Sequence, residues 1–296
     1  MHRPDGHVEP HPGGSPANVA VGLARLGTSA TLVTRFGRDA YGDLLRGHLA
    51  GNGVVLAPGA EGPGETSVAV ASLDAAGAAT YTFRLAWDPA PLDSSLLAGA
   101  GCVHTGSLGT ALPPGARVVR DLLTAAAGRV PVSYDPNLRP ALLGPPEEVR
   151  RDVEELVALS DVVKASEEDL GWLHPGEAYE EVARRWLALG PALVVVTRGG
   201  DGAYARTQGY ELRRPAVPVE VVDTVGAGDA FTAGLLDALV RTRRVGAGGS
   251  GRLTQLPADE LDAALAAAIT VSALTCSRAG ADPPTRAELR AVSGVT

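Results

Sequence analysis

The sequence predicts an α/β fold in which helices cover both faces of a mainly parallel sheet. Short runs of apolar and β-branched residues alternate with amphipathic helical patterns along most of the chain. These runs are almost continuously apolar, which is typical of strands that are buried on both faces. The chain has 296 residues and 45% of them are hydrophobic, enough to give one large domain a core. We therefore expect a single domain over residues 1–296.

The predicted elements follow the alternation in order. The apolar runs predict strands at residues 30–34, 102–105, 130–134, 161–164 and 192–197. The 3.6-residue periodicity predicts helices at residues 17–26, 41–49, 116–127, 147–159, 179–189, 230–240 and 259–277. Some of these helices are followed by a glycine, as Leu26 is by Gly27, and a glycine after the last turn is a common helix stop.

One region interrupts the alternation. Residues 66–74 and 79–85 have the character of two strands joined by a short Ala/Gly turn, with no helix between them. This pattern predicts an antiparallel hairpin. An antiparallel excursion early in an α/β chain indicates a small sheet that stands off the main body as a lid. The predicted lid comprises approximately residues 4–12 and 62–88.

Composition and charge exclude several classes of partner. The chain has 26 Lys and Arg residues against 34 Asp and Glu, a net charge of −8, and no basic block, so no nucleic-acid partner is expected. No apolar stretch approaches the roughly 18–20 residues that span a bilayer, and the N-terminus lacks a signal-peptide core, so no membrane partner is expected. Cys102 and Cys276 lie in apolar contexts, which predicts buried thiols and a cytoplasmic location.

The segment with the clearest chemistry is residues 218–234, PVEVVDTVGAGDAFTAG. A β-type run ends at Asp223, a glycine-rich turn follows, and a helix begins near Asp229. Gly226 and Gly228 permit a tight turn that aims backbone N–H groups outward from the helix start. Unpaired N–H groups and the positive end of a helix converge in such a turn, which predicts an anion site.

Asp229 stands at the mouth of that predicted anion site. A carboxylate beside a phosphate site repels the phosphate, unless it serves as the base that accepts a proton from a hydroxyl nucleophile. The alternative is that Asp229 merely caps the helix, which is a common role for aspartate. The preferred hypothesis is phosphoryl transfer to a hydroxyl group.

The pattern DTxGAGD followed by AFxAG resembles the second sequence motif of the ribokinase-like (PfkB) carbohydrate kinases. Residues 13–20, GGSPANVA, resemble the first motif of that family, which opens a helix beside the sugar. The resemblance runs from about residue 13 to the C-terminus. It implies a ribokinase-like three-layer α/β/α sandwich with a small β-sheet lid, and an ATP-dependent kinase of a small sugar. The chain has no Walker A lysine motif, so a P-loop NTPase is not predicted.

The resemblance implies roles for individual residues of these two motifs. The turn is expected to form an anion hole that stabilises the transferring group and binds ATP, with Asp229 as the base that contacts and activates the sugar hydroxyl. The first motif is expected to hydrogen-bond the sugar, the alternative for its asparagine being an ordinary polar residue of a helix start. These expectations concern Gly226, Ala227, Gly228, Asp229, Gly14 and Asn18.

Two further segments are expected at the nucleotide. Residues 133–139, SYDPNLR, resemble the DxNxR segment of fructokinase and 2-keto-3-deoxygluconate kinase members, and the strand ends at Asp135, in the crevice where α/β ligands bind. Residues 197–202, TRGGDG, resemble the nucleotide-binding turn, the alternative being a plain β-turn. The resulting ATP candidates are Asn137, Arg139, Thr197, Gly199 and Gly202. Arg139 is a substrate candidate as well, the alternative being a surface arginine paired with an acid.

The remaining candidates concern metal ions and the lid. Residues 164–169, KASEED, align with the family's NxxE element near Mg²⁺, with Ser166 in place of Asn and Asp169 in place of Glu. Asp169 is therefore expected to act on Mg²⁺ through water. Arg84, at the end of the hairpin, is a sugar candidate, although an exposed strand arginine fits equally. Residues 276–281 resemble the segment that closes the adenine pocket and a monovalent cation site, which makes K⁺ a further expectation.

Fructose is the first substrate expected, because the DPNLR, SLGT and KASEED segments resemble those of fructokinases. Kinases of 2-keto-3-deoxygluconate, ribose or nucleosides remain alternatives, as does a catalytically impaired sugar-binding relative. A homodimer is left open. A nicotinamide oxidoreductase is not predicted, because Gly13 and Gly14 follow no predicted strand.

The front of the chain departs from the family pattern. Members of the family have an N-terminal strand and a sugar-binding aspartate well before the GG motif, whereas the twelve residues before Gly13 contain no apolar strand. The expectation is a start site further upstream or a shortened member. Asp5 is then the nearest carboxylate by sequence.

Overall fold

The structure, a computed structural model, describes residues 10–73, 79–246 and 250–293. The predicted helices and the strands predicted at stated ranges are present, with ends that differ by at most three residues. The β-type run predicted to end at Asp223 is not a strand, because residues 215–226 form loop and turn between β12 and α7. The helices are α1 Ser15–Arg25, α2 Ala40–Gly51, α3 Gly115–Ala126, α4 Pro146–Ala158, α5 Glu167–Leu173, α6 Tyr179–Leu187, α7 Ala227–Arg241, α8 Ala258–Cys276 and α9 Arg286–Ser293. The strands are β1 Thr31–Leu32, β2 Phe36–Gly37, β3 Val55–Leu56, β4 Glu61–Gly62, β5 Val68–Leu73, β6 Ala79–Arg84, β7 Val103–Gly106, β8 Val132–Asp135, β9 Val162–Ser166, β10 Leu193–Thr197, β11 Ala203–Arg206 and β12 Glu211–Arg214.

The central sheet has six strands in the order β12-β11-β10-β9-β8-β7. Strands β7 to β10 are parallel, and β11 and β12 add an antiparallel pair at one edge. The prediction of a mainly parallel sheet is therefore confirmed. The edge pair was not predicted because charged side chains interrupt it, and charges are typical of exposed edge strands. Arg213 of β12, for example, pairs with Glu211 and with Glu180 of α6.

The sheet is buried on both faces because its strands alternate two sets of apolar side chains. On β10, Val194 and Val196 pack into the core formed with α3, α4, α5 and α6. Leu193 and Val195 point to the other face and pack against α7 and α8. Trp186 of α6 is fully buried in the first core. Helices on both faces of one sheet give the three layers that were predicted.

The predicted strand at 30–34 is present but does not join the central sheet in the described part of the chain. As β1 it pairs in parallel with β3, with Thr31 opposite Val55, in a separate two-stranded sheet. Thr31 is exposed and Leu32 is buried, so this strand buries one face only, unlike the strands of the central sheet. Helix α1 contacts both β1 and β7 and so links the two sheets.

The predicted hairpin is confirmed as the antiparallel pair β5 and β6, with Val68 opposite Arg84. Asp39 fixes the base of this hairpin to α2, because its carboxylate accepts hydrogen bonds from the backbone N–H groups of Gly42 and Thr66 at 2.8 Å. Residues 4–9 of the predicted lid and the tip of the hairpin, 74–78, lie outside the described residues.

Cys102 and Cys276 are free thiols, and both are half-buried rather than buried as predicted. Burial raises the pKa of Cys102 to about 12, so this thiol stays protonated at neutral pH. Among the helices within residues 10–73, 79–246 and 250–293, none has the length and apolar character needed to cross a membrane.

Candidate active site

The candidate site lies at the carboxyl ends of the central strands. Asp135 ends β8, and Lys164 lies on β9 one position beyond the Tyr134–Val163 pair, so the two residues are neighbours across the strands. Helix α7 begins above them at Ala227 and packs against α1. Parallel α/β sheets bind ligands outside the carboxyl ends of their strands. The topology therefore brings the two sequence motifs and the DPNLR segment to one place.

The turn before α7 depends on glycine. Gly226 is the N-terminal cap of α7 and has a φ of +76°, in the left-handed region. A Cβ at this position would lie 2.5 Å from the Cβ of Ala281, so both the backbone conformation and the close packing exclude a side chain. The first intrahelical bond runs from the N–H of Ala230 to the carbonyl of Gly226 at 2.8 Å. The N–H groups of Gly228 and Asp229 precede it and lie at the open end of the helix.

The Asp229 carboxylate is directed towards α1 rather than back to its own helix. Ser15 Oγ donates to Asp229 Oδ1 at 2.6 Å, and Asn18 Nδ2 donates to Asp229 Oδ2 at 2.8 Å. Gly226 is the cap of α7, and no side chain supplies a capping hydrogen bond there. The alternative that Asp229 merely caps its helix is therefore wrong.

The environment of Asp229 shifts its titration. Burial raises the pKa of this carboxyl group above its usual value, and the hydrogen bonds from Ser15 and Asn18 offset part of the rise. The Asp135 carboxylate raises it further, and the Lys164 ammonium lowers it. A general base is most effective when its pKa lies near the working pH. The shift therefore suits Asp229 to accept a proton from a hydroxyl group.

We expect kcat/KM to fall on acidification at a pH above that of an ordinary aspartate. If Asp229 acts as the base, it must be ionised, and its raised pKa means that protonation begins above the usual 3.8. A pH–rate profile checks this, with circular dichroism at each pH to separate protonation of Asp229 from acid unfolding. Full activity down to the titration range of an ordinary aspartate, in folded protein, would contradict it.

The first motif lies beside Asp229. Gly14 is the N-terminal cap of α1 with a φ of +105°. A Cβ at Gly14 would have no atom within 4 Å, so the space beside its Cα is open. The N–H of Asn18 donates to the carbonyl of Gly14 at 2.9 Å, while its side chain holds Asp229. The structure thus places Gly14 and Asn18 beside Asp229, and their contacts with a sugar stay a prediction.

The DPNLR loop closes another side of the site. Asn137 has a φ of +39°, which is uncommon for a residue other than glycine, and its Nδ2 approaches Asp229 Oδ1 at 3.5 Å. Arg139 is exposed and folds back onto this loop, where its Nη1 donates to Asn137 Oδ1 at 2.7 Å and to the carbonyl of Leu138 at 2.7 Å. The hydrogen bonds found for Arg139 are made to this loop and not to an acid. Its role towards phosphate or sugar remains a prediction.

Asp169 has a structural role in addition to the predicted one. It forms a capping box with Ser166 at the start of α5, and its Oδ1 also accepts from the N–H of Leu138 at 2.9 Å. Both carboxylate oxygens are thus held by backbone N–H groups, and burial raises the pKa of the carboxyl group. No group of three or more potential metal ligands occurs within the ranges that the structure describes. The predicted action of Asp169 on Mg²⁺ through water therefore stays a prediction.

The TRGGDG segment forms a tight turn at the end of β10. Thr197 ends the strand in register with Ser166 of β9, and Gly199 and Gly202 have φ values of +51° and +89°. A Cβ on Gly202 would collide with the carbonyl oxygen of Arg214, so this glycine permits a close approach of two backbones. The turn lies at the same edge of the sheet as Asp169, and its contact with ATP stays a prediction.

Arg84 is the sequence candidate that the structure does not bring to the base. It ends β6, its side chain is 61% exposed, and its Nη1 lies 3.5 Å from Glu65. This placement corresponds to the alternative of an exposed strand arginine. A contact with sugar would require the hairpin to approach the site.

Two residues of the site had no predicted role. Ser15 donates to Asp229, and Lys164 Nζ donates to Asp135 Oδ2 at 3.0 Å in a buried ion pair. The other oxygen of Asp135, Oδ1, is buried and has no hydrogen-bond partner among the described residues. A signal for Lys164 was available, because it is the only lysine in the sequence.

Most of the chain matches a known family. A model described as pfkB family carbohydrate kinase matches residues 2–288. A fructokinase of Klebsiella pneumoniae is 36% identical over 244 residues, which cover 79% of each chain. The family is thereby shown, and the chain belongs to the pfkB family of carbohydrate kinases.

Solved structures of similar fold support the same class. The fructokinase of Vibrio cholerae O395 with fructose, ADP and calcium ion bound has a TM-score of 0.79 and 30% identity, over 98% of this chain and 93% of that one. The fructokinase of Xylella fastidiosa with bound ATP has a TM-score of 0.81 and 26% identity, over 95% of this chain and 91% of that one. The predicted ribokinase-like fold is confirmed.

Proposed function

We propose that this carbohydrate kinase transfers the γ-phosphate of ATP to a hydroxyl group of fructose, with Asp229 as the general base. The observation that carries the proposal is the position of Asp229. Its carboxylate belongs to the first turn of α7, which Gly226 caps, and is held by Ser15 and Asn18 from a second helix. A base fixed beside an anion site is the arrangement that phosphoryl transfer to a hydroxyl requires.

The residues of the chain supply orientation, proton transfer and charge stabilisation. Asp229 accepts the proton of the sugar hydroxyl, and the hydrogen bonds from Ser15 and Asn18 fix the direction of its oxygens. The N–H groups at the start of α7 face the developing charge on the transferred group. ATP supplies the phosphoryl group when bound, and Mg²⁺ neutralises its charge. Thr197, Gly199, Gly202, Asn137 and Arg139 are proposed for ATP and phosphate.

Metal ions other than Mg²⁺ are part of the proposal. Asp223 fixes the segment before the turn, because its Oδ2 accepts from the N–H of Gly280 at 2.9 Å and its Oδ1 from the N–H of Val225 at 3.0 Å. A monovalent cation such as K⁺ is proposed near this junction of residues 223–225 with residues 276–281. Activity measured in K⁺ against Na⁺ buffers tests this part of the proposal separately.

Fructose is proposed as the sugar because the relatives named above are fructokinases and because the DPNLR and KASEED segments resemble theirs. The test is a coupled assay of ADP release with a panel that contains fructose, ribose, 2-keto-3-deoxygluconate and nucleosides. We expect the highest kcat/KM with fructose. A higher kcat/KM with another member of the panel would show that fructose is not the preferred sugar, while the proposed kinase activity would stand. Sugar binding without ADP release from any member would indicate a catalytically impaired relative.

The hairpin β5–β6 is proposed as a lid over the sugar. If it closes on binding, its amides should exchange hydrogen more slowly when fructose is added, because closure protects the backbone from water. Hydrogen exchange followed by mass spectrometry measures this. The antiparallel edge pair β11–β12 lies in the central sheet and serves as the control, because its hydrogen exchange should not change when fructose is added. Equal exchange of β5–β6 with and without bound sugar would contradict a lid.

A further inference from the structure

The chain has 26 Lys and Arg residues in total, and Lys164 is the only lysine among them. All the others are arginine. Lys164 is also buried, with a side chain that is 5% exposed. Lysine is seldom fully buried unless it is paired. A basic residue type that occurs once, inside the protein and beside the candidate site, indicates a role that arginine does not fill.

The space around the ammonium group explains the choice of lysine. Nζ donates to Asp135 Oδ2 at 3.0 Å, and a Cβ on Gly228 would lie only 3.0 Å from Nζ. The ammonium group therefore lies directly against the first turn of α7. The compact charge of lysine fits between Asp135 and this turn, whereas the wider planar guanidinium of arginine would press on Gly228.

Stability alone does not account for this placement. The ammonium group lies at the start of α7, where the helix dipole is positive and disfavours a cation. Asp135 offsets this cost, but a buried ion pair adds little net stability compared with apolar residues of similar volume. The pair is therefore better explained by the chemistry of the site.

The titratable groups that face Lys164 come from four elements. Burial opposes its ionisation, but the carboxylates of Asp135, Asp169 and Asp229 together raise the pKa of Lys164. Towards Asp229 the two members of the pair act in opposite senses, since Lys164 lowers the pKa of the base and Asp135 raises it. His104 on β7 is the remaining titratable neighbour, and burial together with Lys164 lowers its pKa to about 4, so it is uncharged at neutral pH.

We propose that Lys164 is a positioning residue for phosphoryl transfer: its ammonium group, fixed by Asp135 against Gly228, places a positive charge beside Asp229 and the first turn of α7. This inference rests on the proposed role of Asp229 as the base. It assigns a role to the ion pair that the sequence motifs leave unexplained.

The pair is tested by removing each charge and then both. We expect Lys164→Met to move the acid limb of the kcat/KM profile to higher pH and to lower kcat by roughly ten- to a hundred-fold, less than the loss of a direct donor. Asp135→Asn should move the acid limb to lower pH, and the double variant should return it close to the wild-type position. A purely structural pair would lower the melting temperature in both single variants without moving the limb.

A second measurement uses folded protein that retains Lys164, because Lys164→Met leaves Asp135 buried without a partner and can fail to fold. Lysine labelled with ¹⁵N at Nζ gives one resonance, since the chain has one lysine. Coupling between two groups is reciprocal, so Asp229→Asn should shift this resonance. Asp237→Asn is the matched control, because Asp237 lies on the same helix but pairs with Arg286 and Thr28, and it should leave the resonance in place.

The outcomes separate this inference from the proposed function. An acid limb that does not move, or that moves in the same direction in both single variants, overturns the role of Lys164, as does an Nζ resonance that is unchanged in Asp229→Asn. If turnover is lost in Asp229→Asn and the limb is unmoved in the other variants, the base stands and the role of Lys164 falls. If Asp229→Asn retains turnover, the proposed base itself is wrong.

Discussion

Asp229→Asn is expected to lower kcat by roughly two to four orders of magnitude, the usual contribution of a general base. The amide keeps the size of the side chain and can still accept a hydrogen bond from Asn18, but it cannot take the proton of the sugar hydroxyl. ATP binding should survive, because the proposed anion site consists of backbone N–H groups at the start of α7. Steady-state kinetics and a nucleotide-binding titration measure the two effects separately.

The same substitution should not destabilise the fold. Because the pKa of Asp229 is raised in the folded state, its ionised form at neutral pH is disfavoured by folding, and replacing it by a neutral side chain relieves that cost. We expect an equal or higher Tm for Asp229→Asn. Asp237→Asn on the same helix is the control with the opposite pattern, because it weakens the pair between buried Asp237 and half-buried Arg286. We expect a lower Tm for this variant, with kcat of the folded enzyme close to wild type. Near-normal turnover in Asp229→Asn would remove the base from the mechanism.

Gly226→Ala is expected to have the second largest effect, a rise in the KM for ATP together with a fall in kcat of roughly ten- to a thousand-fold. A Cβ on Gly226 meets Ala281 at 2.5 Å while the backbone has a φ of +76°, so the turn must move. The backbone N–H groups after Gly226 would then no longer point at the transferred phosphoryl group, and Asp229 would shift with them. Kinetics with varied ATP at saturating fructose give both values.

The control for Gly226→Ala is Gly128→Ala. Gly128 has a φ of +71°, and a Cβ on it would meet nothing within 4 Å, so its substitution introduces backbone strain of about 1–2 kcal/mol without a collision. It follows α3, away from the strand ends that carry the site. Gly128→Ala should lower Tm while leaving the kinetics unchanged. Equal kinetic losses in the two variants would mean that strain alone, and not the position of the turn, controls activity.

Local patterns in the sequence predict most of the helices and strands, and they also predict Asp229 as the base. The glycine turn, the start of the helix and Asp229 in its first turn all lie within a few residues, so a local pattern predicts them together. The helix at 230–240 was placed three residues late because Ala227 and Gly228 were assigned to the turn. Strands β11 and β12 were missed because Arg206, Glu211 and Arg213 break the apolar pattern at an edge of the sheet.

The parts of the site that were missed depend on contacts between distant segments. Ser15 and Asp229 are 214 residues apart in the chain, and only the packing of α1 against α7 brings them within a hydrogen bond. Lys164 meets Asp135 because β8 and β9 are neighbours in parallel register, which an isolated strand does not reveal. The expected sugar contact of Arg84 was inferred from the family resemblance alone. The position of Arg84 relative to the site depends on the orientation of the β5–β6 hairpin, which local sequence patterns do not determine.

The proposed phosphoryl transfer is tested by ³¹P NMR of the wild-type enzyme with ATP, Mg²⁺ and fructose, beside the same mixture with Asp229→Asn. We expect one new phosphomonoester resonance that grows in step with ADP in the wild type. The variant should bind ATP and show almost no such resonance over the same time, because it lacks the base. ADP that appears with inorganic phosphate instead of a sugar phosphate, or an equal yield of sugar phosphate from the variant, would contradict it.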